Sequence, residues 1–511
     1  MTINKLLIAN RGEIAVRIAR AAAELGIATV AVYPADDAQS LHTRVCDQAR
    51  QIPGGGAAAY LDGEQLLAVA RETGCDAVHP GYGFLSESQA FAAACEQAGL
   101  VFVGPTPEVL GLLGDKARAR QLAQQQDVPV LPGISRPVGL EEAEAFLAEL
   151  GEGAAMVIKA VAGGGGRGMR IVRRREELAD AFKRCQAEAQ AAFGNGALYV
   201  ERCVTRARHI EVQIVGDGSG AVSHLWEREC SLQRRNQKLV EIAPSPTLAP
   251  ALRERIIAAA LRLAAAVKYR NLGTFEFLVD EERGEFFFIE ANARLQVEHT
   301  VTEEVTGIDL VQTQLQLAGG ATLATLGLTQ EQVPAPQGYA MQLRVNMETM
   351  DSVGNTRPAG GVLSVFEPPT GPGIRVDSFG YGGYRTSPHY DSLLAKLIVH
   401  GRGFAAVVER AYRALCQFRI DGVATNVGFL QNLLRREEVR ANAVYTRFID
   451  DHMAALAAVD PRAHPRHYFD AEPQAAEAAA PQPEAPPGAA AACAPMHGVL
   501  VEICVAAGEA V

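Results

Sequence analysis

Over the first hundred residues, hydrophobic and polar positions alternate in blocks. Short apolar runs at 5–9, 29–33, 77–79 and 100–103 read as strands, and 12–25, 63–73 and 88–98 carry the spacing of amphipathic helices. That alternation predicts a parallel sheet with helices on both faces. Beyond residue 113 the pattern changes. Strands are expected at 157–160, 170–172, 197–204, 208–215 and 273–279, with an apolar-striped helix over 250–268. The stretch 286–299 stands apart. Phe286, Phe287, Phe288 and Ile289 open it as a buried strand. Glu290, Asn292, Arg294, Gln296 and Glu298 then alternate with Ala291, Ala293, Leu295 and Val297. Side chains in extended backbone alternate faces, so five polar groups are expected on one face. The turn at 280–284 pairs this stretch with 273–279 and sets Glu276 beside Glu290.

The bulk numbers narrow the class. A chain of 511 residues is too long for one core and should divide into roughly three or four domains. Its 48% hydrophobic content is that of a core-forming protein. A net charge of −11 excludes an overall field for nucleic acid or anionic membrane. The nine cysteines are never closer than eleven residues apart, which excludes metal-knuckle spacing and a compact disulfide framework. Reduced thiols in a cytosol fit that spacing. Residues 1–5 lead directly into a strand, and no signal peptide or membrane-length apolar run is read. The expectation is a soluble cytoplasmic protein.

A face of five polar groups is either a solvated edge or a site satisfied by ions, because burying it unpartnered is costly. The apolar residues in front of it favour a metal and anion site. Glu276 and Glu290, converging across a hairpin, need a cation between them. Oxygen donors from acids and an amide suit Mg²⁺ or Mn²⁺. The first turn, Asn10-Arg11-Gly12-Glu13, lacks the dinucleotide fingerprint, so NAD is not supported. The loop 79–87 follows a strand at the sheet edge where α/β folds bind ligands, although its glycines also suit a tight turn. Gly163, Gly164, Gly165 and Gly166 expose backbone N–H groups able to cover phosphates, with Lys116 and Lys159 as candidate cations. His209, Glu211 and Gln213 alternate with Ile and Val, predicting one polar and one buried face. The cationic segment 228–238 is equally readable as a solvated loop.

Taken together, the motifs at 9–14, 79–87, 159–170, 208–213, 234–238 and 290–299 resemble the biotin carboxylase component of biotin-dependent carboxylases, in family order across about residues 3–450. The resemblance implies an α/β and α+β multidomain protein. It would have a Rossmann-like pre-ATP-grasp domain (1–113), an ATP-grasp domain with a mobile glycine-loop lid (114–330) and a mostly antiparallel C-terminal domain (336–450). It also implies residue roles. Lys116, Lys159, Gly163 to Gly166, Glu201, His209 and Gln233 would bind ATP; Glu276, Glu290 and Asn292 would hold Mg²⁺ or Mn²⁺. Lys238, Arg294, Gln296, Val297 and Glu298 would hold bicarbonate, with Glu298 as general base and Arg344 facing the biotin ureido oxygen. Lys238, Arg294, Glu298 and Arg344 would thus be the catalytic set.

The sequence departs from the family pattern at Asn236, Ile242, Tyr339, Gln342 and Ala424. Residues 452–492 are rich in Ala, Pro, Glu and Gln and read as a semi-stiff linker. Residues 493–511 resemble the start of a biotinyl domain whose biotinylated lysine lies beyond this chain. The resemblance implies ATP-dependent carboxylation of biotin by bicarbonate through carboxyphosphate. It would be the first half-reaction of an acetyl-, propionyl-, methylcrotonyl- or geranyl-CoA carboxylase, with a carboxyltransferase partner and a homo-oligomer. Two other readings stand beside it: an ATP-binding assembly module that has lost turnover, and the biotin carboxylase portion of a longer single-chain carboxylase.

Overall fold

The computed structural model describes residues 2–134, 136–151, 153–161, 168–460 and 462–469. The chain divides into two units, Met1–Arg466 and His467–Val511, and most of the second lies outside the described residues. That part holds residues 470–492 of the expected linker and the biotinyl-like start at 493–511. Gly163, Gly164, Gly165 and Gly166, expected to form the lid loop, also lie outside the described residues.

Five strands, β1 (Lys5–Ile8), β2 (Ala28–Tyr33), β3 (Gln48–Gln51), β4 (Ala77–His79) and β5 (Val101–Phe102), form a parallel sheet in the order β3-β2-β1-β4-β5. The helices Gly12–Glu24, Gly63–Glu72 and Gln89–Gln97 lie where the periodicity places them. The edge strand β3 was not expected: Gln48, Arg50 and Gln51 give it no apolar pattern. Strand order reverses between β1 and β4, where open α/β sheets leave a crevice. There Asn10 Nδ2 donates to Pro80 O at 2.7 Å and Tyr82 O at 2.8 Å. Gly81, at φ +64°, permits that approach; a Cβ on it would meet Asn10 Nδ2 at 2.8 Å.

A small antiparallel sheet follows, with β6 (Gly133–Ile134), β7 (Ala155–Ala160), β8 (Met169–Val172) and β9 (Leu198–Cys203) in the order β6-β9-β7-β8. It buries Met156, Ile158, Val172 and Val200 with Phe146 and Leu178 of two helices, Leu140–Glu149 and Arg175–Phe193.

The main sheet is antiparallel and takes strands from both later parts of the sequence. They are β10 (Arg208–Asp217), β11 (Val222–Arg234), β12 (Gln237–Ala243), β13 (Arg270–Asp280), β14 (Glu285–Asn292) and β15 (Tyr339–Asn346). Beyond the short β16 (Glu348–Met350), β17 (Thr356–Pro358) and β18 (Val365–Glu367) come β19 (Ile374–Ser378), β20 (Leu393–Gly401) and β21 (Arg419–Asp421). The order is β14-β13-β10-β11-β12-β15-β20-β19; β16 pairs with β17 and β18 with β21. The β12–β15 pairing, with Val240 opposite Leu343, carries one sheet across the expected division at 330–336. Inside the stretch read as linker, the helix Met453–Ala457 buries Met453 and Leu456 in the C-terminal core.

Two departures from the expected 286–299 strand shape the site. The hairpin register does set Glu276 opposite Glu290, yet Phe277 pairs with Phe288, so Ile289 is an extra residue in β14. A bulge of this kind reverses the alternation. Before it, Phe286 and Phe288 face the core with Phe275 and Phe277; after it, Ala291 and Ala293 take that face. Without the bulge, period 2 would put Glu290 and Asn292 among those phenylalanines. The second departure is the strand's end. Extended pairing stops at Asn292, residues 293–298 are irregular, and the helix His299–Thr306 begins. Arg294, Gln296 and Glu298 therefore do not continue one strand face.

Two buried histidines, His42 at the start of the short helix His42–Val45 and His79 in β4, should make stability depend on pH. His42 places Nδ1 3.0 Å from Ser40 Oγ and Nε2 3.1 Å from Val32 O. Burial pushes its pKa down to about 4, and that of His79 down to about 3. A histidine in the unfolded chain takes up its proton near 6.5, roughly. Below that pH the unfolded state binds protons that the folded state refuses, so acidification towards pH 4 lowers stability. The expected loss is up to ~1.4 kcal/mol per pH unit for each histidine. Denaturation midpoints at pH 7 and pH 5 should show it, with a shallower dependence in His42→Gln; an unchanged dependence would remove His42 as a cause.

Candidate active site

At the end of the main sheet, beside the crevice of the parallel sheet, titratable side chains from seven segments converge. A cavity of about 480 Å³ is lined by Lys159, His209, Gln233, Lys238, Glu276, Glu290, Asn292, Arg294, Gln296, Val297, Glu298 and Arg344. A second, of about 280 Å³, shares Val297 and Arg344 and is closed by Tyr82, Gly83, Tyr390 and the start of the helix Gly12–Glu24. A third, of about 650 Å³, is lined by Arg202, Arg206 and Tyr445 beside Asp280, Glu281 and Glu282, and gathers none of these converging groups.

Lys238 is the centre. Its ammonium donates to Glu211 Oε2 at 2.6 Å, Glu276 Oε1 at 2.9 Å and Glu298 Oε1 at 2.8 Å. Burial by itself would lower its pKa, but the three carboxylates raise it well above the ordinary lysine value. The second oxygen of Glu298 accepts from Arg344 Nη2 at 3.0 Å. Burial pushes Glu298 up, and Lys238, Arg344 and Arg228 together outweigh it, holding that carboxyl well below the usual range. Glu276 is depressed in the same way: burial raises it, while Lys238 and His209 pull it further down.

Glu276 is crowded with donors. Asn292 Nδ2 lies at 2.7 Å and Gln296 Nε2 at 2.8 Å from Oε1, and His209 Nε2 stands 2.6 Å from Oε2. Gln233 Nε2 lies 2.8 Å from His209 Nδ1. An amide donor facing Nδ1 puts the imidazole proton on Nε2, toward Glu276. Glu290 is more loosely held, with Lys116 Nζ at 3.6 Å. The carboxylates of the register pair Glu276 and Glu290 are hard oxygen donors that could hold a divalent ion, and the Asn292 oxygen, which accepts from Arg294, could join them. Lys159 pairs with Glu201 at 2.5 Å, and Arg120 holds Glu201's other oxygen at 3.2 Å. Glu201 thus lies beneath Lys159 instead of lining the cavity. Arg294, on the rim, donates to Glu87 Oε2 at 3.0 Å and Asn292 Oδ1 at 3.0 Å.

Two side chains that sequence reasoning passed over hold this set together. Arg228 is fully buried, and all five guanidinium donors are used. They reach Glu211, Gln213 at 2.8 Å, Thr302 at 2.9 Å, Thr274 at 3.2 Å and Gln296 at 2.8 Å. The segment 228–238 is therefore no solvated loop: β11 runs to Arg234 and buries both arginines. Leu225, Cys230 and Leu232 around Arg228 were the available signal. His209, Glu211 and Gln213 likewise share a polar face that is wholly buried. Glu241 is the second such residue. It accepts from Arg344 Nε at 2.6 Å and from Gln342 Nε2 at 3.0 Å, and Thr300 Oγ1 donates to Gln342 Oε1 at 2.5 Å.

That chain answers the departure at Gln342: the amide links Glu241 to Thr300 and so steadies Arg344. Asn426 adds to it by donating to Arg344 O at 3.0 Å. Asn236 is explained by the backbone. Arg235 and Asn236 form the two-residue turn between β11 and β12, at φ +47° and +65°. Two positive φ angles define a type I′ turn, in which Asn is favoured. Tyr339 opens β15 and packs edge-on against Phe404 at 6.0 Å.

The charged crevice thus lies between a parallel α/β sheet and an antiparallel sheet, with a small four-stranded sheet beside it. Family comparison gives the class. Residues 2–110 match "Biotin carboxylase, N-terminal domain", 115–326 match "Carbamoyl-phosphate synthase L chain, ATP binding domain", and 342–451 match "Biotin carboxylase C-terminal domain". The chain is 51% identical to the biotin carboxylase domain of a single-chain bacterial carboxylase, covering 89% of this chain and 98% of that one at a TM-score of 0.79. It is 40% identical to the biotin carboxylase domain dimer of Hydrogenobacter thermophilus 2-oxoglutarate carboxylase, in complex with MgADP, ADP and bicarbonate. That match covers 90% of this chain and 100% of that one, at a TM-score of 0.83. The chain belongs to the biotin carboxylase family. Pyruvate carboxylase 1 of Caenorhabditis elegans is 49% identical over 453 residues, 88% of this chain and 38% of that protein. The chain thus spans about two fifths of the curated relatives it matches. Among the described residues, no helix is long and apolar enough to cross a membrane.

Removing Arg228 would leave Glu211 buried without its guanidinium. Arg228→Met is expected to lower unfolding stability by about 3–5 kcal/mol, the cost of breaking a buried pair. Urea denaturation at pH 7 measures it; a loss below ~1 kcal/mol, the level of a surface pair, would show that the hub is dispensable.

Proposed function

We propose that this chain carboxylates biotin with bicarbonate at the expense of ATP. The observation that carries the reading is the bracketing of Lys238 by Glu276 on one side and Glu298 on the other. It joins a cation-binding half to a base-bearing half within one buried cluster.

In this reading Lys116, Lys159, His209 and Gln233 face the phosphates of ATP, with Gly163 to Gly166 covering them and Glu201 orienting Lys159. Glu276, Glu290 and Asn292 hold Mg²⁺ or Mn²⁺. When bound, the ion neutralises charge on the transferring phosphoryl oxygens. Lys238, Arg294 and the Gln296–Val297 backbone hold bicarbonate. Glu298 removes its proton as it attacks the γ-phosphate. A carboxylate as strongly depressed as Glu298 is a poor base while only the site's own carboxylates share Lys238 and Arg344 with it. A second anion drawn to those cations shares them, and the basicity of Glu298 rises at the moment it is needed. Arg344, steadied by Glu241, then faces the cavity it shares with Tyr82 and stabilises negative charge developing on the ureido oxygen of biotin.

Gln342 and Asn236, which motivated an assembly module without turnover, have structural accounts, and this favours the enzyme reading. Biotin is the carboxyl acceptor of this step, and the final acceptor would be bound by a carboxyltransferase domain or subunit. The relatives include a pyruvate carboxylase, a 2-oxoglutarate carboxylase and a single-chain long-chain acyl-CoA carboxylase, so the comparisons favour no one acceptor. The portion of a longer single-chain carboxylase is the better reading. Partners in this proposal are a biotinyl domain, a carboxyltransferase and a second copy of the chain. A reducing compartment such as the cytoplasm suits the seven free cysteines among the described residues.

Well-folded full chain with Mg²⁺ should cleave ATP in a bicarbonate-dependent way that free biotin stimulates; absence of that activity sinks the proposal. Glu298→Gln is expected to slow turnover by about 10²-fold or more, as for a lost general base, while nucleotide affinity by equilibrium titration stays near wild type. An equal loss of ATP affinity would place Glu298 on the nucleotide side.

A further inference from the structure

Lys396 in β20 is fully buried, although lysine is among the side chains least often found so. Its ammonium lies 3.0 Å from Glu13 Oε2 and 3.8 Å from Asp377 Oδ2, and donates to the backbone oxygen of Val297 at 3.1 Å. Glu13 in turn accepts from the hydroxyl of Tyr82, in the loop that closes the second cavity. One ammonium thereby ties together the start of the first helix, the loop 79–87, β20 and the irregular segment 293–298.

That segment has lost strand pairing, so its peptide groups need other partners. Three successive carbonyls find them in side chains: Leu295 O in Arg294 at 3.2 Å, Gln296 O in His299 at 2.7 Å and Val297 O in Lys396 at 3.1 Å. In a planar trans peptide, the carbonyl of one residue and the N–H of the next point in opposite directions. Drawing the Gln296 and Val297 oxygens toward His299 and Lys396 therefore turns the N–H groups of Val297 and Glu298 the other way. Among the described residues, neither N–H has an intramolecular acceptor. Val297 lines both cavities, and Lys396 lines neither. Two adjacent outward N–H groups make a concavity suited to a small anion.

We infer that Lys396 is a positioning residue for bicarbonate: it fixes the Val297 peptide so that free backbone donors face the cavity. The inference rests on reading Gln296–Val297 as the bicarbonate segment. Burying a lysine there has a large desolvation cost, which Glu13 and Asp377 offset. The positioning role predicts an effect that charge balance alone does not.

The test uses the full chain with Lys396→Met, the double variant Glu13→Gln/Lys396→Met, and Gln296→Ala. Two readouts are taken: bicarbonate KM in ATP cleavage, and binding of ¹³C-bicarbonate to MgADP-loaded protein by NMR line broadening. Lys396→Met should weaken bicarbonate by about tenfold, the range for losing a charged hydrogen bond, with ATP KM within about twofold of wild type. The double variant, which removes one buried charge of each sign, should recover thermal stability without recovering bicarbonate affinity. Recovery of wild-type affinity in the double variant would overturn the inference and leave Lys396 as a counter-ion to Glu13. Weakening by Gln296→Ala but not by either Lys396 variant would overturn the inference and keep the bicarbonate segment. No weakening by any of the three would overturn the segment's assignment, and the inference with it.

Discussion

The ammonium of Lys238, enclosed by Glu211, Glu276 and Glu298, is the interaction around which the crevice is organised. Three carboxylates cannot stay ionised together out of water unless cations share their charge. Lys238 supplies one, Arg228 beneath Glu211 a second, and Arg344 beside Glu298 a third. Each of these cations also fixes something other than charge. Arg228 orients Gln296, Lys238 bridges the two halves of the site, and Arg344 brings Glu241 and Gln342 into the network.

The backbone is built to deliver side chains into that cluster from opposite directions. The bulge at Ile289 lets one strand serve an aromatic core through Phe286 and Phe288 and the crevice through Glu290 and Asn292. Ending the strand at Asn292 has a parallel consequence. Once ladder pairing stops, the peptides of 293–298 are free to be oriented by side chains, and Lys396 and His299 do so. The change of task between Asn292 and Arg294 is therefore a change of backbone as well as of chemistry. Nearly every strand that contributes to the site belongs to one sheet, which the β12–β15 pairing carries into the C-terminal region. Gln342 and Leu343 consequently sit opposite Glu241 and Val240, which sets Arg344 on the strand next to the one bearing Glu241 and Lys238.

By itself the sequence determined the local frame. Period 2 and period 3.6 apolar patterns located β1, β2, β4 and the first helices, because burial of one face is written every second or every third to fourth residue. The short turn at 280–284 made the hairpin legible, although the register it sets would place Glu276 opposite Ile289, and the bulge brings Glu290 there instead. The motif residues that resemble a biotin carboxylase were legible too, since they cluster in short, distinctive runs. What only the tertiary structure decided are the partners that lie far apart along the chain. Glu298 is 60 residues from Lys238, Arg344 is 103 from Glu241, and Lys396 is 99 from Val297. No periodicity encodes such pairings, and Leu225, Cys230 and Leu232 around Arg228 mark a buried strand without naming the partners its guanidinium finds. The bulge at Ile289 was hidden for a related reason. An extra residue leaves the alternation of letters intact while reversing the face on which they fall, and only the facing strand shows which way they point.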